Sequence, residues 1–284
     1  MTRQFRFLLA LLMVAAMAIP AAAQAPASTT PPATPPAQDD DPDRDPNDSQ
    51  PDFYVATLNT NLPMPKGKFN FRLTHRFTTT LGQGDLSDLF ERFFGLDGGA
   101  IIGLDLKYGL MRNLNVGVYR TSDRTIQFSG QYNVLRDSNG PFGLSVIANV
   151  DGTDNFSDEY SPGFGVVLSR ELGDRGAVYF QPSYVGGSNI NDVADEDDYT
   201  VLAGVGARLR FSRNSYVFVE ASPRVAGFKP GVDLISFGFE QRYGGHLFQL
   251  NFSNGFATTL GQVARGGTAN DDWYLGFNLI RKFY

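Results

Sequence analysis

From Lys66 onward, polar and apolar residues alternate singly along most of this chain, the period of strands whose two faces differ. In KFNFRLTHRF, Phe69, Phe71, Leu73 and Phe77 share one parity, while Asn70, Arg72, Thr74 and Arg76 share the other. In AIIGLDLKYGL, Ile102, Leu104, Leu106, Tyr108 and Leu110 oppose Gly103, Asp105, Lys107 and Gly109. The pattern predicts twelve strands, near 67–79, 100–110, 114–123, 125–136, 142–152, 160–171, 177–187, 199–212, 215–227, 232–244, 246–258 and 272–284. Most exceed the roughly 9–11 residues that a tilted strand needs to cross a bilayer.

The connections sort by parity. Tight turns (MRN, DSNGP, GDRG, RN, YGG) alternate with a set that includes the long loops, at 80–99, 153–159, 188–198 and 259–271. Short turns on one side and long loops on the other are the layout of an outer-membrane barrel. The predicted fold is all-β: a transmembrane antiparallel up-and-down barrel of about 12 strands, with short periplasmic turns and long extracellular loops. Aromatics on the apolar parity then form two girdles. Phe69, Tyr108, Phe142, Phe211, Tyr243 and Phe283 mark the short-turn side, and Phe77, Tyr184, Tyr199, Phe256 and Trp273 the long-loop side.

FTTTLGQ at 77–83 and FATTLGQ at 256–262 nearly repeat each other. In a closed barrel of twelve strands the last strand lies between them. Both are expected to leave the sheet at the outer rim, with Phe77 and Phe256 as girdle residues and Gly82 and Gly261 easing the turn outward. Within the first long loop, Leu86, Leu89, Phe90 and Phe93 have helical spacing, and Asp85 or Ser87 is placed to cap a short helix.

The ends fix the compartment. Residues 1–24 carry Arg3 and Arg6, then an apolar run ending at Pro20 and small residues, the order of a cleaved export signal. Losing those two arginines takes the formal charge from −6 to −8. Residues 25–52 are rich in Pro and Asp and nearly free of apolar residues, which predicts a disordered periplasmic lead-in. Residues 53–66 read as a strap, a plug or an extra strand, and the barrel as 67–284. There is no cysteine, hence no disulfide or thiolate metal site.

The segments FRLTHRF, FFGLDGGA, LDLKYGL, VGVYRTSDRTIQF, HLFQLNFSNG and LGFNLIRKFY, in that order, resemble a family of membrane-bound β-barrel proteins over roughly 67–284. The resemblance implies an outer-membrane barrel and no particular activity.

The inward parity gathers Arg72, Arg76, Lys107, Arg208, Arg210, Arg224, Arg242 and Lys282 against Asp105, Glu171, Glu220 and Glu240. Basic walls select anions, so the expected function is a narrow passive pore for small solutes with an anion-preferring lumen. A closed structural or interaction barrel is the first alternative, because twelve strands fall between side-chain-filled and open barrels. An outer-leaflet lipid hydrolase using His75 is the second, although no Gly-x-Ser-x-Gly elbow accompanies that histidine. The acids of the outer loops, such as Asp154 and Asp195, lack the calcium-loop spacing and read as solvated charge. Expected partners are outer-membrane lipid, the barrel-assembly machinery and small anionic solutes. No nucleic-acid signature, metal or cofactor is expected, and the oligomeric state is left open.

Overall fold

The computed structural model describes residues 49–81, 86–91, 96, 98–136, 140–266 and 272–283. The strands are β1 (Phe69–Thr80), β2 (Ala100–Met111), β3 (Leu114–Thr121), β4 (Ile126–Leu135), β5 (Gly143–Thr153) and β6 (Asp158–Glu171). They continue as β7 (Gly176–Gly186), β8 (Tyr199–Ser212), β9 (Ser215–Ser222), β10 (Arg224–Gly227), β11 (Leu234–Tyr243), β12 (His246–Ser253) and β13 (Tyr274–Phe283). Two short helices, α1 (Leu86–Glu91) and α2 (Leu260–Arg265), sit in long connections.

Each strand pairs antiparallel with its neighbours, β9 pairs with both β8 and β11, and β1 pairs with β13, so the sheet closes on itself. Pro223 has no N–H to give the ladder, and it divides one wall strand into β9 and β10. Beyond it β10 pairs with β8 alone. Twelve wall strands therefore make the barrel, matching the twelve alternating segments.

Closure leaves no unpaired edge and satisfies the backbone internally, which hydrocarbon demands. The faces are inverted relative to a protein dissolved in water. On β2 the outward Leu104 and Leu106 are 49% and 43% exposed, whereas the inward Asp105 and Lys107 are 1% and 2% exposed. An apolar belt outside and charges inside make lipid the outer solvent. Register places polar partners across from each other on the inner wall: Arg72 lies opposite Asp105, and the amide of Asn70 opposite Lys107. At the seam, the rings of Phe69 and Phe283 stack with centroids 4.4 Å apart.

Three sequence expectations are corrected here. The strand expected to reach 258 stops at Ser253. Phe256 is half-buried and packs on the ring of the inward-facing Tyr274, so it belongs to the mouth of the lumen rather than to a lipid girdle. The lead-in expected to run to residue 52 yields its last four residues to the barrel: Ser49, Gln50 and Asp52 are buried with Pro51 between them. Residues 1–48, including the export signal, lie outside the described residues. So do Gly82, Gln83, Asp85, Phe93 and the side chains of Leu86, Leu89 and Phe90, although α1 itself forms where helical spacing placed it.

Candidate functional site in the lumen

Residues 49–64 run inside the barrel. Gln50 reaches Glu171 at the short-turn end, donating from Nε2 at 2.7 Å. The chain then rises and turns back in a tight loop closed by Val55 N–H to Leu58 O at 2.8 Å and Thr60 N–H to Phe53 O at 2.9 Å. It returns past Met64 to Gly67, whose N–H donates to Gly109 at the start of the barrel wall. Both legs of this plug thus meet the short-turn side, and its tip, residues 54–59, lies within the barrel.

The wall holds the tip chiefly by its backbone. The Glu220 carboxylate accepts from the N–H groups of Ala56 (2.9 Å), Thr57 (2.9 and 3.0 Å) and Leu58 (3.1 Å), and from the Thr57 hydroxyl (2.7 Å). The carbonyls of Tyr54 and Val55 accept from Arg208 Nη2 (2.6 Å) and Gln249 Nε2 (2.5 Å), and that of Ala56 from Arg72 Nη2. Further along, Asn59 N–H donates to Gln181, and Gln131 and Asn133 donate to the carbonyls of Thr60 and Asn61. A buried loop would otherwise carry unsatisfied backbone groups, and here wall side chains satisfy them. The Tyr54 ring is clamped between Arg72 and Lys107, 4.4 and 4.1 Å from its centroid.

The wall charges also brace each other. Arg208 forms a two-pronged ion pair with Glu240 at 2.7 and 2.9 Å, both side chains fully buried, and Gln249 completes Glu240 at 2.6 Å. Arg76 donates to Asn278 at 2.8 Å. Such a pair is retained only with good geometry and full hydrogen bonding, because desolvating both ions is costly.

From the outer side, α2 folds inward over the plug. Thr259 caps it with a reciprocal box, its hydroxyl accepting from Gln262 N–H while Gln262 Oε1 accepts from Thr259 N–H, each at 3.2 Å. The Thr259 hydroxyl also donates to Asp151, and Arg265 donates to Ser161 at 2.8 Å. Val263 and Ala264 bury against Val185, Leu202 and Leu234. The second TTLGQ copy is therefore a helix start turned into the lumen, not an exit from the sheet. Gly261 serves close approach, since a Cβ there would lie 2.4 Å from Asp151 Oδ2. Among the described residues, two small spaces of about 10 and 30 Å³ lie between plug and helix. Each holds water at most.

Of the twelve residues expected in the lumen, Arg72, Arg76, Asp105, Lys107, Arg208, Glu220, Arg224, Glu240, Arg242 and Lys282 are buried. Arg224 lies toward the outer end, bonded to Asp233 at 3.1 Å and to the Pro230 carbonyl. Arg210 and Glu171 are half-buried at the short-turn rim. Arg210 does not extend the interior wall beside Arg208. Its guanidinium turns to the carbonyls of Ser212, Arg213 and Asp174 instead.

Phe69, Tyr108, Phe142, Phe211, Tyr243 and Phe283 are exposed on the outer surface at the short-turn end. Tyr184 and Tyr199 stack toward the long-loop end, where Trp273 packs on Phe237. Phe77 keeps its outward parity but is buried beside His75 and Phe277. The His75 ring stacks on Phe277 at 4.8 Å, and its Nδ1 has no hydrogen-bond partner among the described residues. Sequence reading missed Asp52 and Asp151. Asp52 lies in a stretch whose composition looked disordered. Asp151 sits on the inward parity of β5, a strand bounded by sequence but not sorted into faces.

Residues 53–283 match the family model described as a membrane bound beta barrel domain (DUF5777). No curated protein matches the chain. Among solved structures, an outer-membrane channel from Pseudomonas putida F1 is similar at 12% identity and a TM-score of 0.49, over 78% of this chain and 97% of that one. A monoaromatic hydrocarbon channel, CymD, is similar at 12% identity and a TM-score of 0.40, over 78% and 90%. A mutant porin of Rhodopseudomonas blastica is similar at 11% identity and a TM-score of 0.34. This chain spans 55% of that porin's length with 64% of its own. The family match covers most of the chain, and the protein belongs to the family of membrane-bound β-barrel domains.

Proposed function

We propose that the protein is a narrow, passive pore of the bacterial outer membrane, closed in this conformation by its own N-terminal plug and anion-preferring once the plug withdraws. The observation that carries this reading is the mode of plug attachment. The plug joins no sheet; hydrogen bonds from about ten wall side chains, the cation contacts on the Tyr54 ring and a small apolar cluster hold it, and water can replace each of those hydrogen bonds. Charge supports the preference. Seven buried cations face five buried carboxylates among the described residues, and one of those five, Asp52, leaves with the plug. Catalysis is no part of this reading, since His75 is packed among phenylalanines.

A permanently closed structural barrel is the second reading, favoured by the small size of the two spaces beside the plug and α2. Conductance in a planar bilayer separates the two. Glu220→Ala removes the acceptor shared by three plug N–H groups, so a gated pore conducts more often in this variant than in the unaltered protein. In a salt gradient its reversal potential falls on the anion side. A folded, heat-modifiable Glu220→Ala barrel that stays silent establishes the closed reading.

A further inference from the structure

The groups that hold the plug tip form a binding site in their own right, and the tip fills only part of it. The wall reads backbone: N–H groups on a carboxylate, carbonyls on guanidinium and amide donors. Ala56 shows this in its smallest form. Its N–H donates to Glu220 and its carbonyl accepts from Arg72, so ions of opposite sign grip the two ends of one residue. A peptide unit presents only partial charges there. A free α-amino acid presents an ammonium and a carboxylate with the same spacing.

Two further observations point the same way. Arg72 gives the plug a single hydrogen bond and leaves Nε and Nη1 buried without a hydrogen-bond partner among the described residues. A carboxylate has the second oxygen that a peptide carbonyl lacks, and the guanidinium fork takes both. Beside Glu220 the wall also has an apolar notch. Gly206 lies opposite Glu220 in the ladder, and a Cβ on Gly204 would stand 2.5 Å from Leu58 Cδ2. A Cβ on Gly206 would stand 3.3 Å from Leu58 Cδ1 and 3.5 Å from Val55 Cγ2. The two glycines make room for an aliphatic side chain, with Tyr179 and Phe218 in the same cluster.

We propose that this site binds α-amino acids with aliphatic side chains, and that the plug tip stands in for them. The ammonium would sit on Glu220, the carboxylate on Arg72 and the side chain in the Gly204 and Gly206 notch. The inference names the solute class of the gated pore and rests on that reading for access, since the ligand enters as the plug leaves.

Calorimetric titration of L-leucine tests it, on full-length protein in micelles carrying Leu58→Gly, which empties the notch and loosens the plug. Leucine should bind, and 4-methylpentanoate (no amine) and isoamylamine (no carboxylate) should bind at least about tenfold more weakly, each lacking one charged hydrogen-bonded contact. Glu220→Gln or Arg72→Gln in that background should weaken leucine by a similar factor. If Leu58→Gly does not give a heat-modifiable folded barrel, Tyr54→Ala loosens the plug from its other side. Absence of leucine binding in the folded variant, or equal binding of all three compounds, overturns the site. Bilayer current on the same variant is read separately. Current without leucine binding leaves the pore and removes this site, whereas leucine binding by a silent barrel keeps the site and removes the pore.

Discussion

Arg208 carries several structural roles on one side chain. It pairs with Glu240 through two bonds and holds the Tyr54 carbonyl, all without solvent contact. Removing one member of such a pair strands the other charge in the interior, at a cost of about 3–5 kcal/mol. Arg208→Ala should therefore lower the temperature at which the folded, fast-migrating barrel converts to the unfolded band. Arg210→Ala should leave that temperature nearly unchanged, because its contacts lie at the rim and the facing Asp174 is largely exposed. Equal shifts for the two variants would remove the distinction drawn here between wall and rim. Strand parity could not make that distinction: both arginines point inward by alternation, and only the position of the turn after Ser212 separates them.

At the scale of elements, alternation was enough to recover the wall. Each wall strand had been anticipated, since a lipid-facing and a lumen-facing parity force a period of two on every one of them. What alternation could not reveal is what fills the lumen, because neither insert is a strand. The plug tip is an irregular turn most of whose hydrogen-bond partners lie more than 100 residues away, such as Glu220 and Gln249. The second TTLGQ copy matched the first in letters but not in structure. Gln262, three residues after Thr259, completes a capping box and starts a helix, whereas in the first copy Thr78–Thr80 continue β1. Thr259→Val should break both the cap and the bond to Asp151, loosening α2 by about 1 kcal/mol or more. A cysteine at Val263, buried in the unaltered barrel, reports this, since the chain has no other cysteine. With Thr259→Val it should react faster with an impermeant maleimide added from outside. Unchanged reactivity would mean that the cap does not hold the helix in the mouth.

For the whole molecule, closure of the sheet and inversion of its faces make it a membrane barrel, and in the gated reading proposed above the plug decides whether that barrel conducts. Strand parity gave a basic lumen in a chain whose net charge is negative, but left pore and closed barrel evenly matched, because strand number sets the width of the ring and not what enters it. The plug and α2 meet at the small space lined by Thr57, Leu58, Leu202, Ser222, Leu260 and Val263. A cysteine at Leu58 and another at Ser222 therefore face each other across it. The most direct test of the account is bilayer current through this double variant, before and after a short, reducible thiol-to-thiol crosslinker joins plug to wall. The account predicts anion-preferring current in the free form, its loss on crosslinking and its return on reduction. Current that persists with the plug tied to the wall would contradict it, and would place the conducting path elsewhere than through the space the plug fills.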